Sequence, residues 1–389
     1  MRITWVTRSF LDYRIPVYRA LDELCGHNLT VIYNGDVVPQ RCKDKLSHVL
    51  ADRAIPMTGE KRLTGVAKDN ASMANKGIRI PLQKGLIKEI KKTRPDILIS
   101  DGFFQWTYAT ILMRMLDRHV KHVMCYERTP HTERNAGRLR TVYRKIVSRW
   151  IDAIDCNGSL TARYVSGTLG YKKPLAYGHM TADVAGVSDR VEKTTEEEVR
   201  IIKDMYDSPG LTYLYLGQLI PRKGILQLLN AWKEADLEDT TLLLVGDGQQ
   251  RDEIERFLKN NDISNVRLTG AVNYDDLGPY YKIADCFIIP TLEDNWSLVV
   301  PEAMAAGLPV ACSVYNGCHP ELVRPENGWT FDPLDIDNTV ATLREISGKR
   351  DSLKSMGQES LRIVADHTPD RAARALYDVC KKLMTDNEK

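Results

Sequence analysis

Short, mostly apolar runs rich in β-branched residues recur along the chain, separated by stretches whose apolar positions fall every third or fourth residue. The runs lie at residues 3–7, 29–33, 96–99 and 122–125, then at 213–216, 241–245, 266–268 and 286–289. A strand that is apolar on both faces is covered on both faces, which predicts buried parallel strands. Residues 82–92, 225–234 and 249–259 carry an apolar stripe of helical period and predict amphipathic helices. Strand and helix alternate throughout, so the expected fold class is α/β, built from two Rossmann-like domains. The polar run 58–76 has neither period and predicts a mobile loop within the first domain.

At 389 residues, 43% hydrophobic and 27% charged, the composition is that of a globular protein larger than one core usually holds. No uncharged apolar run approaches the roughly 18 to 20 residues of a membrane-spanning helix, which excludes that class. Arg8 interrupts the first apolar run, so no secretory leader is expected and a cytoplasmic location is. The eight cysteines form no CxxC pair, and reduced thiols are expected rather than a zinc site or disulfide framework.

The formal net charge of +2 conceals an asymmetry. Residues 1–180 carry 31 Lys+Arg against 16 Asp+Glu, whereas the remainder carries 23 against 36. A basic half of this kind meets something anionic: nucleic acid, a membrane surface or a phosphorylated substrate. The sign changes near Gly178, Gly186 and the Glu196-Glu197-Glu198 run, which together mark a hinge. The expected division is therefore 1–180 for an acceptor-side domain, 181–365 for a donor-side domain, and 366–389 for a terminal helix that packs back on the first domain.

Two segments carry chemistry. In TYLYLGQLIPRKGILQLLNAW a strand runs into Gly217, a loop carries Arg222 and Lys223, and Gly224 opens a helix. Two cations beside helix-terminal N–H groups either hold a diphosphate or solvate a helix start. In IIPTLEDNWSLVVPEAMAAGLPVACS, Glu293 and Asp294 sit in the turn after a strand, Asn295, Trp296 and Ser297 lead into a helix, and Glu302 follows Asp294 by eight residues, about two helical turns. Such carboxylates suit vicinal sugar hydroxyls, and helix capping accounts for the same residue types.

Together these segments resemble the retaining glycosyltransferases of family GT4, which have the GT-B fold. G-x-L-x-x-x-K-G stands at Gly217 to Gly224, and the E-x7-E signature with its EAMAxGxPV continuation stands at Asp294 to Val310. VGDG (245–248), NGCHPELV (316–323), NGWTFDP (327–333) and PDILISDG (95–102) extend the likeness. The resemblance implies two Rossmann-like domains facing an inter-domain cleft. It implies transfer of a sugar from a nucleotide-sugar, UDP-linked rather than GDP-linked, to a glycan or polyprenyl-diphosphate-linked acceptor in surface polysaccharide assembly. The nucleotide-sugar would be a co-substrate, with no cofactor and no metal. By the same resemblance Lys223 and Arg222 would neutralise the donor diphosphate, Glu302 would hold the ribose, and Asp294 would lie against the transferred sugar. The N–H groups of Asn295, Trp296 and Ser297 would meet sugar and phosphate oxygens, with Gly217, Glu293 and Leu298 completing the donor set. Retention would follow from front-face attack, the donor phosphate itself taking the acceptor proton.

Three positions depart from the family pattern. Asp294 stands for the first Glu of the signature, Gln218 for an Arg, and Asp101 for the histidine after the PDxxH-type strand. Asp101 is therefore carried as a catalytic candidate together with His131, which the loop CYERTPHTERNAGR places near Arg128 and Arg134. The first strand-to-helix loop offers Arg8, Asp12, Tyr13 and Arg14, acceptor-side candidates with Arg128 and His131. Two rival functions remain open on the same fold: a catalytically inactive nucleotide-binding scaffold and a nucleotide-sugar epimerase.

Residues 137–150, GRLRTVYRKIVSRW, read as a basic amphipathic helix. Leu139, Val142, Tyr143, Ile146 and Trp150 form the apolar stripe, expected to pack on the core. Arg138, Arg140, Arg144, Lys145 and Arg149 are expected in solvent, where they can meet lipid headgroups. Lys84, Lys88, Lys91, Lys92 and Arg94 add to the charge. No aromatic stacking platform accompanies it, so nucleic acid is not an expected partner, and an anionic inner membrane face is.

Overall fold

The computed structural model describes residues 1–63, 80–178, 180–208 and 210–385. These divide into two compact units, one drawn from 1–181 and 368–389, the other from 182–367. In the first, β1 (Ile3–Val6), β2 (Leu29–Asn34) and β3 (Ala54–Met57) precede a short antiparallel pair, β4 (Lys61–Leu63) with β5 (Ile80–Leu82). Then come β6 (Ile97–Asp101), β7 (Lys121–Tyr126), β8 (Ala153–Cys156) and β9 (Leu175–Tyr177). The seven-stranded sheet has the order β3-β2-β1-β6-β7-β8-β9, and every pairing in it is parallel. The second unit contains β10 (Leu211–Leu216), β11 (Thr240–Val245), β12 (Val266–Gly270), β13 (Cys286–Ile289), β14 (Val310–Ser313) and β15 (Gly328–Phe331). Its order is β12-β11-β10-β13-β14-β15, again all parallel.

Burial of both sheet faces explains the apolar runs: Ile3, Trp5 and Val6 of β1, and Tyr213, Leu214 and Tyr215 of β10, are inaccessible to solvent. Helices cover the sheets. In the first unit the Pro369–Thr385 helix adds Ala373, Leu376 and Cys380 to the same apolar cluster as Ile3, Trp5 and Leu21. The chain thus returns to its starting unit at its far end, a contact of high sequence separation that fixes the first sheet's outer layer.

All eight apolar runs are strands. Five further strands of the two parallel sheets, β3, β8, β9, β14 and β15, escaped the pattern because they are short or interrupted, as did β4 and β5. In β8 the interruption is Asp155, wholly buried and pushed up to about 8 by that burial. The helix expected at 82–92 begins only at Leu86, after Gly85 at φ +81°, because β5 occupies its first residue. Of the loop expected at 58–76, residues 61–63 form β4, and 64–76 lie outside the described residues. Among the described residues no helix is long and apolar enough to cross a membrane.

One expectation is reversed in part. Tyr143 and Trp150 of the stripe pack against the core, but the Arg138–Val147 helix leaves the rest outside: Leu139 is 80% exposed, Val142 51% and Ile146 45%. What it buries is Arg144, 3% exposed, whose Nη1 and Nη2 donate to Glu133 at 2.7 and 2.9 Å and whose Nη1 donates to Tyr164 Oη at 2.7 Å. The guanidinium also lies 5.7 Å from the Phe103 ring centre. A bidentate buried pair satisfied by a phenol and flanked by aromatic rings outweighs the hydrophobic gain of the alternative rotation. Removing one partner of such a pair costs about 3–5 kcal/mol. Glu133→Ala should therefore destabilise the first unit by about that much in urea, while Leu139→Lys should change it by less than about 0.5 kcal/mol. Equal losses would show that the stripe is buried.

Candidate functional site

Each sheet has one place where the strand order turns, and open parallel sheets bind ligands beside the strand ends there. In the second unit that place lies between β10 and β13. The loop after β10 turns at Gly224, φ +71°, where a Cβ would collide with Pro290 O at the end of β13. It is further closed by Gly246, where a Cβ would collide with Gly217 O. Bare backbone at these two positions lets the Arg222-Lys223 loop lie directly against the loop after β13. Leu292 N and Thr291 Oγ1 donate to Arg222 O at 2.8 and 3.0 Å, tying the loops together.

Across this junction Lys223 Nζ donates to Asp294 Oδ2 at 2.6 Å. Ser297 Oγ donates to the same oxygen at 2.7 Å, Trp296 N to Oδ1 at 3.2 Å, and Arg222 Nη1 stands 3.9 Å away. Burial pushes the Asp294 carboxyl upward, but the Lys223 charge and hydrogen bond, the Ser297 hydroxyl and Arg222 outweigh it and hold the group below its usual range. The side chains of Lys223 and Asp294 keep 13% and 12% of their surface exposed. Arg222 Nη1 also faces Glu293 O at 3.5 Å. Gly217 ends β10 at φ +151°.

Glu302 is placed differently from the expectation. Asp294 lies in the loop and Glu302 in the separate Val299–Ala305 helix, so the eight-residue spacing is not two turns of one helix. Tyr274 Oη and Tyr281 Oη donate to its two carboxylate oxygens at 3.2 and 3.4 Å. Burial pushes Glu302 up to about 7 against the lowering effect of those hydroxyls and of Arg190. Arg190 in turn lies 4.3 Å above the Tyr274 ring. Neither tyrosine nor Arg190 was anticipated, because nothing in the spacing of TGAVNYDDLGPYY points at a carboxylate 28 residues downstream.

The Asn295-Trp296-Ser297 turn also departs from expectation. Trp296 N is taken by Asp294, and Ser297 N donates to Asn316 Oδ1 at 3.3 Å, so these two N–H groups hold the loop instead of facing a ligand. Asn295 Oδ1 and Trp296 Nε1 are buried without a hydrogen-bond partner among the described residues. Leu298 precedes the Glu302 helix as its N-cap and is half-buried.

Residues 205–362 match the family model described as glycosyl transferases group 1. That segment, less than half of the chain, is similar to the group 1 glycosyl transferases. It contains both junction loops and Glu302, while the first unit lies almost wholly outside it. O-antigen chain mannosyltransferase B of Escherichia coli is 29% identical over 192 residues, 48% of this chain and 47% of that protein. The chain spans less than half the length of the curated relatives it first matches. Among solved structures, a glycosyltransferase from Rickettsia africae superposes with a TM-score of 0.75 over 99% of both chains at 14% identity. The Anabaena protein HepE in complex with UDP does so with a TM-score of 0.72, covering 99% of this chain and 100% of that one at 13% identity. Together these make the fold GT-B.

Outside the group 1 segment, the turn of strand order falls between β1 and β6, and an ion pair bridges it too. Arg14 Nη1 donates to Asp101 Oδ1 at 3.3 Å, and so does Trp5 Nε1 at 3.3 Å. Arg14 is 3% exposed and lies 5.2 Å from the Trp5 ring centre. Asp101 is thus the counter-ion of a buried arginine, and Arg14, expected to face an acceptor, is committed to the interior. Arg8 Nε pairs with Glu60 at 2.8 Å, and Asp12 accepts from Arg41 and Lys45, both at 2.9 Å. Tyr13 and His131 are half-buried. Arg128 Nε stands 3.7 Å from Glu133. Among the described residues no cluster of three His, Cys, Asp or Glu is placed to hold a metal ion.

The raised Glu302 group sets a pH dependence. Folded, it stays protonated from its ordinary 4.5 up to about 7, so the folded state is penalised as pH rises through that window and not below it. Relative to Glu302→Gln, the wild type should lose on the order of 3 kcal/mol between about pH 4.5 and pH 7 in chemical denaturation. A difference that stays flat with pH would refute the raised value.

Proposed function

We propose that the protein transfers a sugar, with retention, from a nucleoside-diphosphate sugar to a hydroxyl of a glycan or polyprenyl-diphosphate-linked acceptor. The donor is a UDP-sugar, and the setting is surface polysaccharide assembly at the inner membrane face. The observation that carries this reading is the junction itself: Lys223 and Arg222 on one loop, Asp294 on the next, and Glu302 on the helix that follows. Its neighbour in complex with UDP and its O-antigen mannosyltransferase relative support the donor class and the setting.

On this reading Lys223 swings from Asp294 to the β-phosphate, where it and Arg222 neutralise the charge that grows as the diphosphate departs. Two side-chain cations supply this counter-charge without a metal ion or any cofactor. Asp294, ionised at neutral pH, accepts from a hydroxyl of the transferred sugar. The departing phosphate oxygen takes the acceptor's proton, so no protein carboxylate acts as base. Glu302 accepts from the two ribose hydroxyls, and since those donors favour the ionised carboxylate, binding expels its proton. The acceptor falls to the basic unit.

Two measurements test the reading. Nucleotide release from UDP-sugars should fall more than tenfold in Lys223→Ala, the loss expected when ~1.4 kcal/mol or more of transition-state stabilisation is removed. Wild-type rates in that variant would overturn the mechanism, and tight nucleotide binding with no turnover of any donor would identify a scaffold. Calorimetry at pH 7 in buffers of different ionisation enthalpy should show proton release on UDP binding in wild type and none in Glu302→Gln. Equal release in both would remove the ribose from Glu302.

A further inference from the structure

The Arg138–Val147 helix exposes what an ordinary surface helix hides. At about 100° per residue, Leu139, Val142 and Ile146 fall within an arc of roughly 60°, and Arg138, Lys145 and Arg149 fall within roughly 40° directly beside it. All six side chains are exposed. No acidic residue occurs from Gly137 to Trp150. The arrangement is held from behind: Arg144 and Val147 face inward, and the Arg144–Glu133 pair fixes the helix's rotation. The stripe therefore cannot be hidden by rolling the helix without breaking that pair.

The neighbouring Thr107–Leu116 helix extends the surface. Its Ile111 lies in the same apolar cluster as Val147, and the helix packs against the Ser148–Trp150 turn that follows the Arg138–Val147 helix. Its outer face shows Leu112, Met115 and Leu116, with Arg118 and His119 just beyond its end. These exposed apolar side chains, rimmed by cations and by the single anion Asp117, exceed the scattered single hydrophobes of an ordinary monomer surface.

We propose that this two-helix face docks the protein on an anionic lipid bilayer. Leu139, Val142 and Ile146, with Leu112, Met115 and Leu116, enter the headgroup boundary, and Arg138, Lys145 and Arg149 pair with lipid phosphates. Charge decides the occupant. A second copy of the same face would set these cations against one another, whereas an anionic headgroup layer complements them and accepts the apolar residues in the same plane. The inference names a partner for the proposed acceptor chemistry and rests on that reading only for the acceptor being membrane-borne; docking is read independently of turnover.

The test is sedimentation of the full chain with vesicles of phosphatidylcholine alone and of phosphatidylcholine with an equal part of phosphatidylglycerol. Binding is expected only to the anionic vesicles, weakening as salt is raised. Leu139→Glu with Ile146→Glu should weaken it at least about tenfold, and Arg138→Ala, Lys145→Ala and Arg149→Ala together by a similar factor. These positions are exposed, and an unchanged melting temperature confirms that each variant folds. Equal binding to both vesicle types, unaltered binding by both variants, or concentration-dependent self-association abolished by Leu139→Glu would overturn the proposal. Nucleotide release measured in parallel without vesicles separates this outcome from the fate of the glycosyl-transfer reading.

Discussion

A parallel sheet sends the C-terminal end of every strand to one edge, and where the strand order turns, two adjacent strands leave their loops with no helix packed between them. The chain places an oppositely charged pair across that gap twice, Arg14 with Asp101 and Lys223 with Asp294. The two pairs differ in the physical property that matters. Arg14 is sealed in and Asp101 also takes the Trp5 indole N–H, so separating them leaves a buried guanidinium with only Glu127, 3.9 Å away, to offset it. Lys223 and Asp294 keep 13% and 12% of their side-chain surface exposed, and an ammonium on a flexible stem can change partners while Arg222 and Ser297 still face the Asp294 carboxylate. One junction is fixed and the other exchangeable, and on the proposed reading only the exchangeable one handles a phosphate.

The same contrast accounts for Asp101, an anion at the position where the resembling family has a histidine. Read from sequence it is a misplaced negative charge in a donor site. In the fold it is a structural counter-ion whose need is created at Arg14 by the burial of a guanidinium. Sequence order separates the two residues by 87 positions, so no local pattern connects them.

The eight apolar runs and the order of βα units were legible because burial on both sheet faces leaves a mark on composition. The junction residues of the second unit were legible through the family motif that Gly217, Lys223 and Gly224 resemble, and the close approach of Pro290 O to Gly224 shows why a glycine stands there. The partners of Glu302 were not, since Tyr274 and Tyr281 reach it across the fold. Neither was the rotation of the Arg138–Val147 helix. Periodicity identifies an apolar face but not which face the core takes, and here Glu133, five residues before the helix, supplied a stronger claim on Arg144 than the core had on Leu139.

The two carboxylates of the second unit are driven in opposite directions by surroundings only a few residues apart. Asp294 is buried but answered by an ammonium, so its charge is retained. Glu302 is buried and answered mainly by neutral hydroxyls, which can donate to a carboxylate but cannot cancel its charge, so it sits near neutrality in its proton affinity. Holding an ionisable group there works against folding at neutral pH, and a purely structural position would have been served by glutamine at no such cost. A carboxylate poised in this way becomes a strong acceptor only when donors arrive to favour its charged form, which couples its ionisation to occupancy by a hydroxyl-bearing ligand. The cost of the buried charge to the empty site and the diol binding proposed for it are, on this argument, one property of the same carboxylate.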